Sequence, residues 1–79
     1  MAVIDTIGAF CPHGHFALEP IGDGQLAGLT FAAKDLIDVA GHVTGAGNPC
    51  WLETHAPAAS TAPCVTATRR AGARMIGKT

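Results

Sequence analysis

The chain has 79 residues, a net charge of −1 and five basic residues, four of them in the last eleven positions, so no basic patch is broad enough to neutralise many phosphates and nucleic acid is not an expected partner. No apolar run approaches the roughly 20 residues that span a bilayer, and the N-terminus has no basic region leading into an apolar stretch; a soluble cytoplasmic protein without membrane contact is expected. Although 48% of the residues are apolar, Leu, Ile, Val and Phe together number only seventeen, a thin core for a chain of one domain at most. The three cysteines, Cys11, Cys50 and Cys64, are odd in number and unpatterned, which points to reduced thiols rather than a disulfide framework.

Residues 1–25 read as an irregular arm and connection. Val3, Ile4 and Ile7 are apolar without a sustained period, Cys11-Pro12-His13-Gly14 is a turn signal, and His15 to Leu18 has the length of a short strand. The glycine-punctuated stretch from Ile21 to Gln25 leads into the first regular element. From Leu29 to Asp35, period-two alternation puts Leu29, Phe31 and Ala33 on one face and Thr30, Ala32 and Lys34 on the other. Both faces are largely apolar, as in parallel strands covered on two sides. Lys34 then falls at the strand's C-terminal end, where open α/β sheets place their sites.

Leu36 to Ala59 carries Gly41, Gly45, Gly47, Asn48-Pro49 and Pro57 and reads as a long loop with room for one short turn of helix, a length associated with function. Ser60 or Thr61 is placed to cap a helix with Pro63 in its first turn, running to Ala71 and stopped by Gly72. Its apolar stripe is Cys64, Val65, Thr68 and Ala71. Arg74 to Thr79 is a second, weaker strand. Strand, helix and strand form an α/β unit of βαβ type with parallel pairing, leaving a sheet face and two edges uncovered.

Several constellations compete for chemistry. Gly72-Ala-Arg-Met-Ile-Gly-Lys78-Thr79 matches the P-loop pattern G-x-x-x-x-G-K-S/T, but a phosphate loop follows a strand and opens a helix, and this one follows a helix and spans a strand. Cys11, His13 and His15 are potential metal ligands without a matching pair elsewhere, so solvated histidines are expected and no metal. Asp35, Asp38 and Glu53 read as acceptors in loop turns, with Asp35 helping to set the environment of Lys34. By spacing alone Lys34 is a strand-end lysine that snorkels to solvent; the alternative is a desolvated lysine that gives up its proton and serves as a base at neutral pH.

The wording of the sequence bears on that choice. Leu26-Ala-Gly-Leu-Thr-Phe-Ala-Ala-Lys34-Asp35, then Asp38-Val-Ala-Gly41, then Thr44-Gly-Ala-Gly-Asn-Pro49 and Trp51, then Ala71-Gly-Ala73 and Ile76-Gly-Lys-Thr79 together resemble the amidase signature family over roughly residues 24–79. The run around Trp51 is similar to stand-alone amidases of the indole-acetamide hydrolase type. The resemblance implies that residues 26–79 are part of the mixed-sheet α/β/α amidase-signature domain. It also implies amide hydrolysis by a Ser-cis-Ser-Lys mechanism, with Lys34 as the catalytic lysine, a small-molecule amide as substrate, and no metal or organic cofactor. Both family serines lie downstream of this region; Ser60, the only serine in the chain, does not match either. Cys50 stands where the family commonly carries aspartate, and Thr68-Arg69 replaces a pair that is usually apolar. The expectation is an N-terminal fragment of an amidase, inactive by itself. The alternative is a truncated, non-catalytic product or small binding module.

Overall fold

A computed structural model describes residues 7–79. Val3 and Ile4, read above as part of the arm, lie outside the described residues. Four elements follow in order: β1 (Thr30–Ala33), α1 (Pro49–Thr54), α2 (Pro63–Arg70) and β2 (Arg74–Lys78). The two strands pair in parallel, Thr30 against Arg74, Phe31 against Met75 and Ala33 against Lys78, so the chain is a small mixed α/β unit with the expected strand, helix, strand order. β1 is shorter than the stretch from Leu29 to Asp35, although backbone hydrogen bonds flank it on both sides, from Arg74 N to Leu29 O and from Asp35 N to Thr79 O.

The core lies on one side of the sheet. Ala33, Val39, Val65 and Met75 are buried together, and Phe16, Leu18, Phe31 and Ile37 pack against them. The opposite side of β1 is open: Thr30 and Ala32 are exposed. Cover on both faces, expected from the apolar alternation, is therefore absent here. One eight-residue helix covers one face of a two-stranded sheet and has nothing to offer the other.

Helix α2 starts one residue later than its sequence signals suggest. Its N-cap is Ala62, which makes no side-chain cap; neither Ser60 nor Thr61 caps it, and Thr61 Oγ1 accepts the Ala40 amide instead, at 3.0 Å. The hydroxyl is spent on closing the loop. At the other end Gly72, with φ +106°, stops the helix as expected. The glycine-rich connection satisfies the last carbonyls: the amides of Ile21 and Gly22 donate to Arg69 O, and those of Gly24 and Leu26 to Ala71 O. Thr68 borders a hollow with Phe31, Ala33 and Val65 between α2 and β1. Thr68 Oγ1 bonds back to Cys64 O and Arg69 Nε donates to Glu19 O at 2.8 Å, so Arg69 fastens the arm.

The arm also fills one sheet edge that was expected to be open. Leu18 and Met75 exchange both backbone hydrogen bonds, at 2.9 and 3.1 Å, as an antiparallel bridge. Farther along, Cys11 N donates to Lys78 O and Lys78 N to Gly14 O, at 3.0 and 2.9 Å. Phe16 stacks on His42, with ring centroids 3.6 Å apart, tying the arm to the long loop. β2 thus has β1 on one edge and the arm on the other, which protects the backbone groups of a strand that a two-stranded sheet would leave half bare.

The long loop contains the single short helix allowed for. Asn48 caps α1 by accepting from the amides of Cys50 and Trp51, and Trp51 stacks on His55. Cys50 sits in the first turn, where an aspartate would favour the helix N-terminus and a thiol does not. Asp38 accepts the Thr44 hydroxyl at 2.6 Å, the turn-acceptor role read from sequence.

The strand register is irregular at one point. Between Phe31 and Ala33 lies one residue of β1, but between their partners Met75 and Lys78 lie two of β2. This β-bulge re-aims the residue that follows it. It depends on Gly77, whose φ is +150° and where a Cβ would lie 2.5 Å from Gly14 O and the Phe10 ring. Gly77→Ala should cost about 1–3 kcal/mol from backbone strain alone, read as a lower urea midpoint for the chain; an unchanged midpoint would mean the bulge imposes no constraint.

Candidate functional site

Where β1 ends, two adjacent side chains part company. Lys34 is exposed, whereas Asp35 is 3% exposed, as expected of successive residues in extended backbone. Of the two readings of Lys34, the strand-end lysine reaching solvent matches its exposure here, and the desolvated one does not. The buried lysine is Lys78, at 0% exposure, and the bulge at Gly77 turns it inward.

Asp35 is the hub. Its Oδ1 accepts from Lys78 Nζ at 3.0 Å, and its Oδ2 accepts from the Gly45 amide at 3.0 Å and lies 2.7 Å from His13 Nε2. Its backbone is engaged as well, the amide donating to Thr79 O and the carbonyl accepting from Ala46 N. Burial pushes the Asp35 carboxyl up, but the hydrogen bonds from Lys78, Gly45 and His13 and the charge on Lys78 outweigh it and hold the group below the ordinary carboxylate value. The role assigned to Asp35 from sequence, tuning Lys34, gives way to this one.

The same contacts dispose of the P-loop. The pattern lies across β2, its lysine is sealed against Asp35, and the Thr79 amide is taken by Ala33 O. No amide cradle faces solvent there.

His13 is not the solvated histidine expected; its side chain is 25% exposed and bonded to Asp35. Cys11 joins it, and one ligand-type atom each from Cys11, His13 and Asp35 lie within 4.8 Å of one another. The sequence reading had Cys11 and His13 but not Asp35, which is 22 residues from His13; no local signal connects them. Burial and then the nearby Asp35 charge raise the Cys11 thiol above its usual value, opposed in part by Lys78 and by the Cys11 amide. His15 remains exposed and stacks on Phe10.

Lys34 follows β1 directly, at its C-terminal end, as expected. Among the described residues none accepts a hydrogen bond from its ammonium, while its carbonyl accepts from Ile37 N. The side chain borders a shallow hollow of about 220 Å³ shared with Cys11, Asp35, Leu36, Ala46, Gly47 and Thr79. Ser60 is exposed ahead of α2.

Two outcomes test this electrostatic account. The stabilisation from ionised Asp35 is full above the unfolded aspartate value of about 3.9 and is lost as pH falls through the lower folded value; Asp35→Asn should flatten the acid limb of a urea-midpoint against pH profile, and parallel profiles would refute the assignment. Cys11 should alkylate with iodoacetamide at pH 7 more slowly than the exposed Cys50 and Cys64, as peptide mapping over a time course would read; equal rates would contradict the shielding.

No protein-family model matches the sequence, and no solved structure matches the fold. Among curated proteins, the chain is similar to Amidase 1 of Oryza sativa subsp. japonica, 56% identical over 81% of the chain, and to Amidase 1 of Arabidopsis thaliana, 59% identical over 70%. It spans only 15% and 13% of those relatives. It is also 50% identical, over 76% of its length, to outer envelope protein 64, chloroplastic, of Arabidopsis thaliana, of which it spans 10%.

Proposed function

Because the chain belongs to an amidase-like family over the region it spans, we propose that it is the N-terminal part of an enzyme hydrolysing a small carboxylic amide to acid and ammonia, with Lys34 as general base. The observation that carries the reading is the place of Lys34: at the C-terminal end of a parallel strand, without a hydrogen-bond acceptor among the described residues, beside a hollow. A lysine held in a salt bridge has no lone pair to offer; Lys34 is not so held, and Asp35 beside it is already neutralised by Lys78.

In this proposal the neutral Lys34 amine takes the proton of a bridging serine, which takes that of the nucleophilic serine as it attacks the amide carbonyl. Backbone amides of a glycine-rich loop hold the oxyanion. Ammonia leaves, and water then releases the acyl group as the acid. Neither serine is supplied by this chain, since Ser60 is not one of them, so the 79 residues are proposed to be inactive alone. The base must also lose water. Leu36, next but one in sequence and 59% exposed, offers apolar surface beside Lys34 for the rest of an amidase-signature domain to cover. Metal and organic cofactors have no part in this mechanism.

A second reading is a truncated, non-catalytic product or small binding module; beside the amidases, the chain is similar to relatives whose names give a place in the chloroplast outer envelope and no reaction. Among the described residues no helix is long and apolar enough to cross a membrane; the cytoplasm is the compartment proposed.

Lys34→Ala in the complete enzyme separates the two readings. Turnover of an amide substrate should fall by about 10²–10⁴-fold or more while the far-ultraviolet circular dichroism and melting curve stay unchanged, because an exposed side chain contributes little to stability. Undiminished turnover would remove Lys34 from the mechanism, and absence of turnover in the complete unsubstituted protein would favour the module.

A further inference from the structure

The cluster of Cys11, His13 and Asp35 takes no part in the proposed hydrolysis. Its residue types are those of a zinc site: a thiol, an imidazole and a carboxylate, with ligand atoms within 4.8 Å of one another. We infer that Cys11 Sγ, His13 Nε2 and Asp35 Oδ2 form a binding site for a divalent zinc-type cation, with a water in the fourth position.

Three features of the fold prearrange the site. The Cys11-Pro12-His13-Gly14 turn is closed by the Gly14 amide donating to Cys11 O, and it is pinned at both ends to β2, by Cys11 N to Lys78 O and by Lys78 N to Gly14 O. The two arm ligands are therefore not loose. Asp35 is fixed by Lys78 Nζ on Oδ1 and by the Gly45 amide on Oδ2, with Oδ2 also facing His13, the arrangement in which outer partners orient a ligating carboxylate. Access is open as well: Cys11 and His13 border one hollow of about 240 Å³, and Cys11 and Asp35 border another.

The geometry requires a small adjustment. His13 Nε2 and Asp35 Oδ2 are 2.7 Å apart, and two ligands on one tetrahedral ion at about 2.0–2.1 Å each stand about 3.3 Å apart. His13 moves out by that difference, which its position on the arm and its 25% exposure permit. The Cys11 thiol releases its proton to solvent as the metal–sulfur bond forms, and His13 carries its own proton on Nδ1. A thiolate and a carboxylate offset the dication, and the Lys78 ammonium on Asp35 Oδ1 leaves the cluster with one net positive charge. The sulfur and nitrogen ligands select zinc over magnesium or calcium.

The test is a titration of the reduced 79-residue chain with Co²⁺, which reports thiolate coordination as a charge-transfer absorption in the near ultraviolet, followed by displacement with Zn²⁺. The expected result is one equivalent bound, with the band intact in a Cys50→Ser/Cys64→Ser variant and lost in Cys11→Ser. His13→Gln, which keeps the thiol, should weaken Co²⁺ binding at least tenfold while circular dichroism confirms that the fold is kept. No band in the unsubstituted chain, a band that survives Cys11→Ser, or unchanged affinity in His13→Gln would each overturn the inference. Amide hydrolysis enters none of these readings, so their outcome is separate from that of the proposed function.

Discussion

A carboxylate buried at the end of β1 sets the terms for everything around it. Removing an aspartate from water is costly unless its oxygens are paired and hydrogen-bonded, and Asp35 meets that demand with partners from three segments: His13 of the arm, Gly45 of the long loop and Lys78 of β2. Each segment is held in place partly because the carboxylate needs it. Among the described residues no buried side-chain nitrogen or oxygen lacks a partner, so the polar centre is complete. With only five buried apolar residues among those described, such a network contributes much of what specifies the arrangement, because alternative packings would leave the charge of Asp35 or Lys78 unanswered.

The pair at the strand's end divides its work by geometry. Extended backbone sends Lys34 outward to solvent and Asp35 inward to its partners. The division also explains why Lys34 is not salt-bridged by the acid beside it. Asp35 faces the opposite way and is engaged by Lys78.

The arm shows how a thin core is supplemented. It adds backbone hydrogen bonds along the free edge of β2 and a stacked pair, Phe16 on His42, while the connection that follows it takes up the carbonyls at the end of α2. The open face of β1 receives no such help.

Much of this was legible in the residues. Period-two alternation from Leu29 and the proline and glycine bracketing Pro63 to Gly72 located the strand and the main helix, since local sterics and hydrogen-bond chemistry govern where such elements begin and stop. The ordered blocks around Lys34 and Trp51 pointed to an amidase-like family, and the helix preceding Gly72 argued against reading Gly72 to Thr79 as a phosphate loop. What only the tertiary structure decided was which lysine is buried, which acid neutralises it and what becomes of Cys11 and His13. Asp35 is 43 residues from Lys78 and 22 from His13, and a bulge at Gly77 turns Lys78 toward it. Such pairings carry no local period; they follow from strand register and from the need to satisfy a buried charge, and both exist only once the chain has folded.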